Sequence, residues 1–163
     1  MSVLYFCRHG IAEEAKAGQE DAERKLTAEG EKKFRKAAAG IARVVEDEPP
    51  KLILSSPLVR ARETAEILAQ VLEKAGMKLE IRLTADLGPG GKLGGLLKTA
   101  AGQPTVAVGH EPLLSEWIAE LCFHGQGGLG LEMKKGALAA MDVRSARSAK
   151  LLFLLPPAVL RRL

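Results

Sequence analysis

Two arginines and two histidines stand out in this chain for where they sit. Arg8-His9-Gly10 closes the apolar run of residues 3–7, Gly109-His110 closes the run of residues 105–108, and Arg60 follows Ser55-Ser56-Pro57 after the run of residues 51–54. Arginine presents a planar fork of donors that matches phosphate oxygens and stays charged at any working pH. Arg60 falls in the first turn of a predicted helix, where free N–H groups add partial positive charge. Sharing one crevice, Arg8, His9, Arg60 and His110 would form an anion trap. A neutral imidazole inside it can attack phosphorus, because a pKa near 6.5 leaves a lone pair available. His9 fills that role when its other ring nitrogen donates to a backbone carbonyl. Any one of these histidines alone would more often be a satisfied core or loop residue.

The elements that must position them can be read from periodicity. Residues 3–7 form a short buried strand, released into a turn by Gly10. Residues 11–25 have no apolar period. From Thr27, a predicted N-cap, a helix is indicated by Phe34, Ala37, Ala38, Ile41, Val44 and Val45, and Pro49-Pro50 ends it. Residues 51–54 are a second strand, with Ser56 expected at an N-cap and Pro57 at the first position of a helix that ends at Gly76. Leu79, Ile81 and Leu83 alternate as a third strand, and the glycine-rich residues 86–95 read as loop. Residues 105–108 form a fourth strand and residues 112–121 a helix with Leu114, Trp117, Ile118 and Leu121 inward. Residues 137–143 and 150–155 are two more strands, paired through a turn over 144–149. Residues 151–163 read as a packed final strand with a solvated end.

This order predicts an α/β fold of three layers, a mostly parallel central sheet with helices on both faces. Such sheets bind ligands beyond the carboxyl ends of their strands, where the four residues fall.

Composition narrows the function. The chain has 163 residues, 47% hydrophobic and 27% charged, which is one ordinary domain spanning 1–163. Its formal charge of +4 is spread thinly, with no block of like charge longer than three, and its six aromatics are not interleaved with Arg or Lys. A nucleic-acid partner is therefore not expected. No apolar run approaches the roughly 20 residues of a membrane span. The start shows no charged segment followed by an apolar one, and Cys7 and Cys122 are too few for a disulfide framework, so a reducing cytoplasmic setting is expected.

Arg8-His9-Gly10, Leu26-Thr27-Ala28-Glu29-Gly30, the stretch Ser55-Ser56-Pro57-Leu58-Val59-Arg60-Ala61-Arg62-Glu63-Thr64-Ala65 and Val108-Gly109-His110 together resemble the histidine phosphatase superfamily, the phosphoglycerate mutase-like enzymes. The resemblance is greatest to its small branch, the SixA-type phosphohistidine phosphatases, which the opening Arg-His-Gly-Ile-Ala-Glu, the Lys135-Gly136-Ala137-Leu138 segment and the Pro156-Pro157 ending also resemble. It implies a phosphoglycerate mutase-like fold and attack by His9 on phosphorus to give a phosphohistidine intermediate that water hydrolyses. Arg8, Arg60 and His110 would bind the phosphoryl oxygens, without metal or cofactor. Larger members carry a Glu proton donor on an insertion before the fourth strand, and here only residues 86–95 stand in its place. Asp86 is then the candidate general acid. An imidazole leaves phosphorus with less help than an alkoxide, so an open site with weak acid catalysis suits phosphohistidine. The implied partner is a phosphorylated protein, such as a histidine phosphotransfer domain, with phosphate as product.

Three alternatives stand beside this reading. One is a small-molecule phosphomonoesterase of the same superfamily. Another is a non-catalytic phosphoprotein-binding module, against which the intact His9 speaks. The third is a zinc site made from Cys7-x-His9 and Cys122-x-His124, although both cysteines also read as buried thiols of apolar elements. Ser55 and Ser56 read as turn and cap residues.

Overall fold

A computed structural model describes residues 2–124, 130–145 and 148–163. Six strands form one sheet in the order β3-β2-β4-β1-β5-β6: β1 is Ser2–Arg8, β2 Leu52–Ser55, β3 Glu80–Leu83, β4 Thr105–Gly109, β5 Leu138–Ser145 and β6 Ser148–Leu155. The first four run parallel, while β5 pairs antiparallel with both β1 and β6. This is the expected three-layer α/β fold.

The helices are α1 (Ala28–Val44), α2 (Val59–Lys74), α3 (Leu93–Ala100), α4 (Leu113–Phe123) and α5 (Pro157–Leu160). The central strands are apolar along their length because successive side chains enter different cores. Tyr5, Cys7, Ile53, Val106 and Val108 meet Phe34, Ile41, Leu68 and Leu72 of α1 and α2. Leu4, Phe6, Leu54 and Ala107 meet Leu96, Leu114, Trp117 and Ile118 of α3 and α4. No helix among the described residues is long and apolar enough to cross a membrane.

Most predicted boundaries hold, and the departures have local causes. Thr27 caps α1, its hydroxyl accepting from Gly30 N at 2.9 Å. At Gly30 a side chain would run into the carbonyl of Ile11, so this glycine lets the loop after β1 lie flat on the helix start. The second helix begins later than expected. Its N-cap is Leu58, because the Ser56 hydroxyl takes Leu58 N at 3.3 Å and bends Ser56-Pro57 into a turn before the helix. The glycine-rich stretch is not loop throughout, since α3 starts at Leu93 and absorbs Gly94 and Gly95, with Leu93 and Leu96 drawn into the core. Beyond β6 the chain turns into α5, which packs on α1 where Gly40 leaves room for the Leu160 carbonyl. Residues 146 and 147 of the predicted turn lie outside the described residues.

Candidate active site

The three strand ends that carry the four residues are zipped together. β4 lies between β1 and β2, with Arg8 in register with Gly109 and Ser55 with Val108. One residue further on, His9 N donates to Gly109 O at 3.1 Å and Ser56 N to Val108 O at 3.0 Å. Backbone pairing thus continues past the strands and fixes the site's floor.

His9 is 6% exposed, and its Nδ1 lies 2.7 Å from Gly10 O. Since a carbonyl only accepts, Nδ1 carries the proton and Nε2 keeps its lone pair. The first two turns of α2 lock this corner, because Gly10 N donates to Thr64 Oγ1 at 3.0 Å while the Thr64 hydroxyl donates to Arg60 O at 2.6 Å. Burial above all, opposed by the Gly10 bond and aided by His110, Arg60 and Arg8, lowers the His9 pKa to about 3. His9 is neutral at any working pH.

The His110 ring centroid is 5.0 Å from that of His9. Burial, then Arg60, lower its pKa to about 4. Its Nε2 lies 2.8 Å from Ser56 Oγ. With that hydroxyl donating to Nε2, the neutral ring carries its proton on Nδ1, a buried donor left without a partner. Ser56 therefore orients His110, a role its sequence position did not reveal.

Arg8 is held by the segment before β5. Its Nη1 donates to Met133 O at 2.6 Å, and Gly136 N reaches back to the carbonyls of Arg8 and His9 at 3.1 Å each. Arg8 Nε is buried and unpartnered. Arg60, its side chain 8% exposed, donates from Nη1 to Asp21 O (2.8 Å) and from Nη2 to Asp21 Oδ2 (2.9 Å). The same carboxylate accepts from Arg24 Nη1 at 2.9 Å, and Arg24 Nε holds Glu13 O at 2.7 Å. Hydrogen bonds from Arg24 and then Arg60 keep the Asp21 carboxyl below the usual carboxylate range. The aperiodic segment of residues 11–25 is thus a strap that holds Arg60.

Of the four residues so gathered, Arg60 and His110 line a cleft of about 350 Å³, together with Asp21, Gly88, Glu111 and Glu116 among others. Neither Arg8 nor His9 is in that lining, nor is Asp86. Its backbone N and its Oδ2 meet the Thr84 hydroxyl, at 3.2 and 3.4 Å, and the carboxylate packs against Gly95 in the first turn of α3. The two Cys-x-His pairs do not converge either. Cys7 faces the α1 and α2 core, its thiol pushed up to about 12 by complete burial, whereas Cys122 packs on the opposite side of the sheet. Among the described residues no group of three or more His, Cys, Asp or Glu could hold a metal ion.

A family model for the histidine phosphatase superfamily, branch 1, matches residues 4–88, which include Arg8, His9 and Arg60. The chain belongs to this superfamily. An uncharacterized protein of Picosynechococcus sp. is 37% identical over 151 residues, 88% of this chain and 87% of its own length. Among solved structures, protein histidine phosphatase SixA complexed with tungstate superposes with a TM-score of 0.78 at 24% identity, covering 97% of this chain and 99% of that one. A SixA from Agrobacterium tumefaciens described as a phosphohistidine phosphatase of inferred function gives 0.72 at 26%, covering 96% and 98%. A phosphoserine phosphatase from Entamoeba histolytica in complex with 3-phosphoglyceric acid gives 0.63 at 17%, covering 95% and 97%. The last shows the same fold in a phosphatase named for a small phosphate ester.

Proposed function

We propose that this protein is a phosphatase that removes the phosphoryl group from phosphohistidine on a protein, with His9 as nucleophile. The observation that carries the reading is the neutral His9 with Nδ1 engaged, set beside two arginines and two orphaned buried donors, Arg8 Nε and His110 Nδ1. An oxyanion ligand would satisfy those donors. His9 Nε2 attacks phosphorus, the P–N bond to the carrier breaks, and water then returns the His9 phosphoryl group as phosphate. Arg8, Arg60 and His110 bind the equatorial oxygens, whose charge the arginines offset without a metal. Asp86 keeps a structural role at Thr84 and α3, since an imidazole leaving group asks little of an acid. The open cleft suits a carrier mounted on a protein surface, in keeping with SixA-type relatives and a cytoplasmic setting.

The test is a turnover assay with a phosphorylated histidine phosphotransfer domain and with sugar phosphates. The native enzyme is expected to prefer the former, to resist chelators, to be inhibited by vanadate, and to trap an acid-labile, base-stable phosphoryl label that His9→Ala lacks. Much faster cleavage of sugar phosphates would overturn the substrate. Phosphoprotein binding without any turnover would make the protein a binding module.

A further inference from the structure

Three buried side-chain atoms among the described residues have no hydrogen-bond partner: Arg8 Nε, His110 Nδ1 and Glu111 Oε1. Arg8 Nε is a donor, as is His110 Nδ1 in the tautomer in which the Ser56 hydroxyl donates to Nε2, and both are suited to an anion. The third is an acceptor, so the same anion cannot satisfy it. Glu111 directly follows His110 and lines the same cleft. Its other oxygen, Oε2, accepts from the hydroxyl of Ser115 at 2.5 Å, one turn along α4, which pins the carboxylate in place. Arg60, the cation lining this cleft, already gives two N–H groups to Asp21. A substrate that brings a donor into this cleft beside its phosphoryl group would find Glu111 Oε1 ready to accept.

We infer that Glu111 is a specificity-determining residue whose carboxylate accepts a hydrogen bond from the free ring N–H of a phosphorylated imidazole. The inference rests on the phosphohistidine reading above. A phosphoimidazole protonated on its second nitrogen presents such an N–H beside the scissile bond. As His9 Nε2 forms its bond to phosphorus, the carrier's P–N bond breaks and that electron pair passes to the ring, cancelling its positive charge; the proton stays on the second nitrogen. A carboxylate facing that N–H favours the protonated ring, which is the better leaving group. Carriers bearing a second carboxylate or phosphate would meet Glu111 and Glu116 as like charges, and are disfavoured.

Glu111→Gln, which keeps the shape and a partner for Ser115 but removes the charge, tests this on three substrates: a phosphohistidine peptide, the same peptide with its free ring nitrogen methylated, and p-nitrophenyl phosphate. The expected result is a fall of at least about tenfold in kcat/KM for phosphohistidine relative to p-nitrophenyl phosphate, the size of one hydrogen bond to a charged group. The methylated peptide, a fixed cation with no N–H to offer, should show no comparable loss in the variant. Ser115→Ala, which unpins the carboxylate, should shift selectivity the same way by less. Equal losses on all three substrates, or an unchanged ratio, would overturn the role of Glu111 while leaving the substrate intact. A native enzyme that turns over p-nitrophenyl phosphate but not the phosphohistidine peptide would instead overturn the substrate reading and the inference with it.

Discussion

Acidification offers a direct measure of the two buried histidines. Burial holds His9 near pKa 3 and His110 near 4 in the folded protein, whereas both return to about 6.5 when the chain unfolds. Below pH 6.5 the unfolded state takes up protons that the folded state refuses, so stability is full above that value and falls as the pH drops toward the folded pKa values. Where burial keeps the folded value well below 5, as at His9, the loss between pH 7.5 and pH 5 is set by the unfolded pKa alone. It is about 2 kcal/mol for a fully buried histidine. His110 reaches the cleft surface, and screening reduces its share to about 1 kcal/mol, giving roughly 3 kcal/mol for the pair. Urea unfolding in phosphate-free buffer at the two pH values reads this loss directly. His9→Gln removes one titrating group, so its stability should drop by about 2 kcal/mol less than that of the native protein over the same interval. If the variant and the native protein lost stability equally, His9 would not be held neutral by burial. The account of its lone pair would then fail.

Arg60→Lys keeps the charge but not the fork that Asp21 and a phosphoryl group share, and should cost about 100-fold or more in kcat/KM, measured by steady-state kinetics. Gly30→Ala places a methyl group against the Ile11 carbonyl and should cost about 2–3 kcal/mol, lowering the melting temperature by roughly 5–10 °C in calorimetry. Asp86→Asn, at a carboxylate engaged by Thr84 and packed on Gly95, should change kcat/KM on phosphohistidine by less than about threefold; a far larger loss would return Asp86 to the role of proton donor.

Positions set by the backbone ladder are legible in the amino-acid sequence. Arg8, His9 and His110 sit where apolar runs end, and the order of those runs is enough to predict a parallel sheet that gathers their ends. Side-chain partnerships across long separations are not legible in this way. Asp21 lies in a segment with no period, 39 residues from Arg60, and nothing local marks it as that arginine's holder. The residue pair Glu111 and Ser115 does have a helical four-residue spacing, but such pairs are common on exposed helix faces, and only burial gives this one meaning. The start of α2 is shifted because a Ser-Pro pair serves equally well as a cap or as the turn before one, and here the Ser56 hydroxyl is also needed by His110. The glycines of α3 carry a low helix propensity that burial of Leu93 and Leu96 overrides.

Keeping both histidines neutral also decides how the site divides its charge. A nucleophilic imidazole must enter the reaction with a free lone pair, yet the approaching phosphoryl group is an anion that would itself favour a protonated histidine. In the proposed reaction burial does most to hold the His9 pKa down, and two arginines supply permanent positive charge that lowers it further while attracting the substrate. Their own placement depends on acceptors that cannot be protonated away, the carbonyls of Met133 and Asp21, with a carboxylate added only for Arg60. Arg8 is therefore fixed independently of pH, whereas Arg60 loses half of its anchor where Asp21 is protonated. Acid inactivation begins at the Arg60 strap if the Asp21 carboxyl takes up its proton before His9 does in the folded protein. A pH profile of kcat/KM for Asp21→Asn against the native enzyme separates the two. An acid limb unchanged by this substitution would assign it to His9, and one abolished by it would assign it to the strap.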